Sequence, residues 1–196
     1  MKILAVADAE AKPFYDCYIP GILRDYDLIL SCGDLSPRYL EFLVTMARCP
    51  LLYVHGNHDE RYGESPPEGC RCIDGVVTVY QGVRIGGLGG CRRYREGPYM
   101  YTEGQMARRV LGLRLQIWRR GGLDILVTHA PPRGVHDLED LPHRGFTCFR
   151  TLLNRVQPRY AVHGHIHRSY GAKLPQRTQL GETTVLNAYE RCTFEL

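Results

Sequence analysis

Apolar residues gather in short runs that alternate with stretches of helical periodicity. Lys2 to Ala7, Asp27 to Leu30 and Leu51 to Val54 are compact runs of β-formers and read as buried strands. Between the second and third, Ser36-Pro37 offers an N-cap followed by proline at the first helical position, and Leu40, Leu43, Val44 and Ala47 then share one face. This is an amphipathic helix between two strands. Uniformly apolar strands joined in this way predict parallel pairing beneath covering helices.

The middle of the chain changes pattern. Val76 to Tyr80 and Val83 to Leu88 flank Gln81-Gly82, the spacing of a tight antiparallel hairpin, so the sheet structure is mixed. Thr102 and Gln105 form a capping box ahead of Met106, Val110, Leu113 and Ile117 on one helical face, which Gly121-Gly122 ends. A strand at Asp124 to Thr128, a polar loop, a helix from about Thr147 to Gln157 stopped by Pro158, and a strand at Tyr160 to Val162 follow. The last thirty residues read as strands around Gly181-Glu182. No repeat or linker interrupts this layering, and residues 1–196 read as a single α/β domain.

Composition narrows the class without naming it. Apolar residues at 44% and charged residues at 23% are ordinary globular values, and 196 residues suffice to bury a continuous core. A net charge of +4 suits anionic ligands but is too small for a dedicated nucleic-acid binder. Asp8 and Glu10 break the first apolar run before it could form a signal segment or span, which predicts a cytoplasmic protein with no membrane partner. The eight cysteines contain no C-x-x-C pair and are expected to be buried free thiols. Cys70 and Cys72, on either side of one arginine, read as a loop-to-strand junction rather than a metal site.

The candidate chemistry collects at strand ends. Asp8, Gly33-Asp34, Gly56-Asn57-His58-Asp59, Thr128-His129 and Gly164-His165-Ile166-His167 each follow directly on an expected strand. In open α/β sheets the carboxyl ends of parallel strands line one crevice, so these groups are expected to converge. Carboxylates, imidazoles and an asparagine carbonyl oxygen are ligands for divalent ions. His165 and His167 would face one site if their stretch is extended, since side chains alternate along a strand. Two ions about 3.5 to 4 Å apart would hold a bridging hydroxide and clamp a phosphoryl group for in-line attack. Taken singly, His55 and His163 read as hydrogen-bonded structural residues.

These segments resemble the calcineurin-like metallophosphoesterase family, whose pattern runs D-x-H, G-D, G-N-H-[DE], a histidine after a strand, and G-H-x-H. The resemblance implies a two-sheet αββα sandwich. It implies further that Asp8, Asp34 and His167 hold one metal ion and that Asp34, Asn57, His129 and His165 hold a second, with Asp34 as the bridge. His58 matches the histidine that contacts the phosphate and assists the leaving group, with Asp59 orienting it from behind. The first motif departs from the pattern, because Asp8-Ala9-Glu10 has glutamate in the third place. Coordination by Glu10 would add negative charge and favour manganese or magnesium over zinc, with iron and nickel as further alternatives.

Outside this set, Cys91-Arg92-Arg93-Tyr94-Arg95 could grip substrate phosphate through guanidinium groups and stack a base on the tyrosine, or be a solvated loop. The run Pro131 to Gly145 places His143 on a loop beside His129, where it could approach a substrate. The expected function is hydrolysis of phosphate esters by a hydroxide held between two metals. The substrate is a small phosphate ester or nucleotide, or short nucleic acid. With no lid evident, the expectation leans to phosphodiesters over monoesters. The alternative is a catalytically weak scaffold or nucleotide-binding module that keeps the fold.

Overall fold

The computed structural model describes residues 1–167 and 174–196. Its first strands are β1 (Lys2–Val6), β2 (Leu28–Ser31), β3 (Leu51–Tyr53) and β4 (Arg71–Cys72). They are followed by β5 (Val77–Tyr80), β6 (Val83–Leu88), β7 (Cys91–Arg92), β8 (Met100–Tyr101) and β9 (Ile125–Thr128). The remainder are β10 (Tyr160–His163), β11 (Arg177–Leu180), β12 (Thr183–Asn187) and β13 (Cys192–Glu195), and the α-helices are α1 (Pro37–Ala47), α2 (Glu103–Arg119) and α3 (Thr147–Val156). Of the last thirty residues, 168–173 lie outside the described residues.

One sheet has the order β13-β1-β2-β3-β4 and the other β11-β12-β10-β9-β6-β5, with β7 and β8 as a separate ribbon. In the first, β1, β2, β3 and β4 run parallel and β13 closes the edge antiparallel to β1. In the second, β6, β9, β10 and β12 run parallel, while β5 and β11 are antiparallel edge strands. The expected mixed sheets are therefore two, stacked face to face.

Alternation along the strands shows why. Ile3 and Ala5 of β1, with Leu28 and Leu30 of β2, pack against Ile85, Ile125, Val127 and Val162 of the opposite sheet. Leu4, Val6 and Ile29 point the other way, against Tyr39, Leu40 and Leu43 of α1. Leu126, Ala161 and Val185 pack outward against α2 and α3. Both faces of the central strands are covered, so their sequences are apolar throughout, and the layers are helix, sheet, sheet, helix.

Local signals mark the element ends. Ser36 Oγ accepts the Tyr39 amide at 3.2 Å and Pro37 opens α1. Both bonds of the Thr102–Gln105 capping box are made, and Met106, Val110, Leu113 and Ile117 are the buried face of α2. The β5–β6 turn carries Gln81 and Gly82 at φ 47° and 81°, the paired left-handed geometry of a two-residue hairpin. All eight cysteines are free, but the expectation of burial holds only for part of them. Cys32, Cys91 and Cys192 are buried, whereas Cys17 and Cys72 are exposed, Cys72 because β4 is an edge strand.

Candidate metal centre and active site

The site lies where the carboxyl ends of both sheets meet. Asp8 follows β1, Asp34 follows β2 and Asn57 follows β3 of one sheet, while His129 follows β9 and His165 follows β10 of the other. Main-chain bonds stitch the loops together: Asp8 N–H donates to Gly33 O at 3.1 Å and Gly164 N–H to His129 O at 3.0 Å. Asp8, Asp34, Asn57, His58, Tyr94, Pro142, His143, His165 and His167 line one cavity of about 320 Å³.

Three of the expected ligands sit in left-handed backbone, Asp8 at φ 64°, Asp34 at 58° and His165 at 67°. Such conformations are disfavoured for non-glycine residues and collect where a side chain must be aimed. The His165–His167 stretch is consequently a turn and not the extended segment that would bring both imidazoles to one face by alternation. Both still reach the cavity, because the left-handed step at His165 redirects the chain. Neighbouring glycines make room. A Cβ on Gly56 would lie 2.0 Å from Asp34 Oδ1, and one on Gly164 would lie 2.7 Å from Asp8 Oδ2. The carboxylates instead accept backbone amides, Asp34 Oδ1 from His58 N–H at 2.7 Å and Asp8 Oδ2 from His165 N–H at 2.8 Å.

The imidazoles are oriented for ligation. His129 Nδ1 lies 2.7 Å from Cys32 O, and a carbonyl only accepts, so Nδ1 carries the proton and Nε2 faces the site. That Nε2 meets Asn57 Oδ1 at 3.0 Å and Asp34 Oδ2 at 3.4 Å, two oxygen atoms in want of a positive partner. His165 Nε2 donates to Pro142 O at 2.9 Å, leaving its Nδ1 for the site. Ligand atoms of Asp34, His129 and His165 all fall within 4.8 Å of one another. His167 Nε2 stands 3.9 Å from Asp8 Oδ1. Carboxylate, imidazole and carboxamide donors without thiolate fit a divalent ion of the manganese, magnesium, iron, nickel or zinc kind.

Electrostatics point the same way. Burial pushes the Asp8 carboxyl up to about 7, against the pull of His129 and with the charges of Asp34 and Asp59 adding to the rise. Burial and then Asp34 likewise raise Asp59 to about 6. Burial would raise Asp34 too, but the charge and hydrogen bond of His129 outweigh it and hold it at about 2. Burial would lower His129, but Asp34 outweighs it and lifts the ring to about 9, so a proton on Nε2 holds the place that a cation would take between these oxygens. Buried carboxylates crowded around one point are a site that gains from a cation.

The other expected residues are placed unevenly. His58 is exposed on the cavity wall. Asp59 does not back the His58 ring as expected: its Oδ2 accepts the Gly56 and Asp34 amides at 2.7 and 3.0 Å, so it shapes the loop that aims Asp34. Glu10 accepts the Ser36 hydroxyl at 2.6 Å and is not among the cavity-lining residues. Arg92 is turned to Glu103 at 2.9 Å and Arg93 to Gln105 at 3.0 Å, both at the start of α2. Tyr94 is thus the member of that segment on the cavity wall, its hydroxyl accepting from Asn57 Nδ2 at 3.5 Å. His143 also lines the cavity, held by Asp140 at 2.6 Å with its ring 5.3 Å from that of His165.

Two polar networks escaped the sequence. Asp74 receives Arg109, His55 at 3.1 Å and the Gly89 amide at 2.8 Å, with His55 stacked 4.2 Å from Tyr99. Beneath the Gly164-His165 turn, His136 and His163 form a buried chain. Thr178 Oγ1 pairs with His136 Nε2 at 2.8 Å, His136 Nδ1 with His163 Nε2 at 2.8 Å, and His163 Nδ1 with Gly164 O at 2.9 Å. One proton per link satisfies that chain when both rings are neutral. His55 and His163 are hydrogen-bonded within the fold, as the sequence suggested.

Burial lowers His136 to about 4, and burial followed by the charge of His136 lowers His163 to about 3. Unfolded histidine titrates near 6.5, so the unfolded chain takes up protons first as pH falls. The stability from these neutral rings is complete above about pH 6.5 and declines toward pH 4, by on the order of 3 kcal/mol for each ring taken alone. Urea unfolding at a series of pH values checks this. His136→Gln should flatten the slope between pH 6.5 and 4, and an unchanged slope would assign acid sensitivity elsewhere.

The calcineurin-like phosphoesterase family model matches residues 11–169. Human metallophosphoesterase domain-containing protein 1 is 41% identical over 191 residues, covering 92% of this chain and 54% of its own length. Lariat debranching enzyme A of Xenopus laevis is 23% identical over 226 residues, covering 85% of this chain and 42% of its own. The chain therefore spans about half the length of these curated relatives. Among solved structures, TT1561 of Thermus thermophilus superposes with a TM-score of 0.63 at 18% identity, over 96% of this chain and 89% of that one, a likeness of fold. On the extent of the family match and the identity to the human relative, the chain belongs to the calcineurin-like phosphoesterase family.

Proposed function

We propose that this protein is a metal-dependent phosphoesterase, with phosphodiesters as its main substrates. The observation that carries the reading is the convergence of Asp34, His129 and His165, ligand atoms within 4.8 Å, beside Asp8, Asn57 and His167 around one cavity. In this reading Asp8, Asp34 and His167 hold one ion and Asp34, Asn57, His129 and His165 the other. Glu10 is a supplementary ligand that would have to leave Ser36 to take part. When bound, the ions supply Lewis acidity to the phosphoryl oxygens and water made nucleophilic at neutral pH. Manganese leads the candidates because the donors combine carboxylate and carboxamide oxygens with imidazole and include no thiolate.

The chain's own groups do the rest. His58 stands exposed beside Asp34, where it can contact a phosphoryl oxygen and give a proton to the departing alkoxide. Asp59 keeps the Asp34 loop in place through two amides. Tyr94 and His143 form the outer wall against which a substrate arm can rest. A second cavity, of about 380 Å³, shares Asp34 and His58 with the first. Space on both sides of His58 suits an ester with two arms, which supports diesters over monoesters.

Hydrolysis of bis-p-nitrophenyl phosphate and p-nitrophenyl phosphate by metal-stripped protein, resupplied with manganese, magnesium, nickel or zinc, tests this. Turnover that needs metal, is faster on the diester and drops roughly 100-fold or more in His58→Ala is the expected result. The engagement of Glu10 by Ser36 favours one second reading, a scaffold that binds metal weakly. No turnover with any of these metals would select it.

A further inference from the structure

Three of the exposed large apolar residues fall on one stripe of α2. Leu111, Leu115 and Trp118 are 64%, 48% and 76% exposed, and they stand at i, i+4 and i+7. The opposite face of the helix is already spent on Met106, Val110, Leu113 and Ile117 in the core, so this stripe is not needed for folding. Trp118 is the single tryptophan of the chain, and leaving its ring mostly in water is unfavourable without a partner.

The flanks of the stripe are all of one sign. At 100° per residue, Arg108 and Arg119 fall on one side of it and Arg114 on the other. Arg155 of α3 joins Arg114 in the shallow groove between the two helices. All four are exposed, and none takes part in an ion pair between described residues. Across α2 and α3 the only acidic residue is Glu103, which is occupied by Arg92 and by the Thr147 and Cys148 amides.

A second copy of this chain is disfavoured, because it would set arginine against arginine. Three apolar side chains along roughly 10 Å of helix also fall well short of the roughly 800 Å² per partner that a stable protein interface buries. A bilayer surface asks for less. A few apolar groups enter the headgroup boundary, tryptophan among the best suited, while arginines on both sides meet lipid phosphates and carboxylates. We propose that the outer face of α2 adsorbs to an anionic membrane surface, with Leu111, Leu115 and Trp118 inserted and Arg108, Arg114, Arg119 and Arg155 on the headgroups. This is adsorption, not spanning: among the described residues no helix is long and apolar enough to cross a membrane.

The lone tryptophan makes the test direct. The full chain is mixed with vesicles of phosphatidylcholine alone or of phosphatidylcholine with phosphatidylserine, and both Trp118 emission and co-sedimentation are read. A blue shift with co-sedimentation on the serine-containing vesicles only, reversed by high salt, is expected. Arg114→Glu with Arg119→Glu should weaken partition at least ~10-fold, and Leu111→Glu should abolish it; circular dichroism checks that these surface variants stay folded. Equal binding to both vesicles would overturn the charge reading. The absence of a shift with either would overturn the proposal. A shift produced by an acidic amphipathic peptide but by neither vesicle would also overturn it, making the occupant a protein helix.

Discussion

Asp34→Asn is expected to lower metal-dependent phosphoester turnover by roughly 1000-fold, about 4 kcal/mol of barrier. Asp34 is the one carboxylate shared by both proposed ligand sets, and its Oδ2 lies 3.4 Å from His129 Nε2. Asparagine retains an oxygen for the His58 amide, which Asp34 Oδ1 accepts at 2.7 Å, so the loop should stay folded. What is lost is the charge. The Oδ2 position also becomes an amide NH2, which cannot ligate a cation, and metal affinity should fall alongside turnover. Calorimetric titration with manganese measures the first and bis-p-nitrophenyl phosphate hydrolysis the second. A variant with near-normal turnover would remove Asp34 from the centre of the site and with it the two-ion reading. Thermal unfolding of the metal-free variant is the control: buried His129 loses its charged partner and reverts to a neutral ring, while relief of repulsion on buried Asp8 and Asp59 offsets that loss, so a collapse in stability is not expected.

The second large effect is on stability, away from the cavity. Asp74→Ala should destabilise the protein by about 3 to 5 kcal/mol, because removing one partner of a buried ion pair strands the others. Asp74 is 9% exposed and holds Arg109 of α2, His55 after β3 and the Gly89 amide after β6. These groups join the two sheets and a helix at one point. Burial would raise the Asp74 carboxyl, but His55 and Arg109 more than offset it and leave it below the ordinary range. The group therefore contributes stability above the unfolded carboxylate range, and this is lost as pH falls through its lowered folded pKa. Urea unfolding at neutral pH measures the loss. Asp74→Asn, which can still accept the Gly89 amide, should fall between wild type and alanine, whereas a loss below about 1 kcal/mol in both would mean the network is screened by solvent.

Much of the architecture was legible along the chain because its signals are local. A serine before a proline starts α1, a threonine and glutamine three apart start α2, and a glutamine-glycine pair turns β5 into β6. Each works through backbone groups within one turn of chain, which is why the ends came within a residue or two. The candidate metal ligands were legible for a related reason. Strand ends in parallel sheets point to a common edge, so chemistry-bearing residues after successive strands announce a site without any knowledge of pairing.

Other features were not written locally. Asp59 follows His58 directly and was expected to orient it, yet it is bound to the Asp34 and Gly56 amides, a choice made by the packing of two loops. Arg92 and Arg93 read equally as phosphate ligands or as part of a solvated loop, and Glu103 and Gln105, ten or so residues on, hold them instead. Asp74 and Arg109 are 35 positions apart, and His136 and His163 are 27 apart.

Taken by itself, the sequence determined most of the strand and helix pattern, the layered class and the gathering of candidate ligands at strand ends, because periodicity, capping and strand-end placement act over a few residues. Tertiary structure alone decided which strands pair in each of the two sheets, that Asp8, Asp34 and His165 are aimed by left-handed backbone, and which arginines are held away from the cavity. Those outcomes depend on which distant loops and charges come within reach, and that distance exists only once the chain has closed on itself.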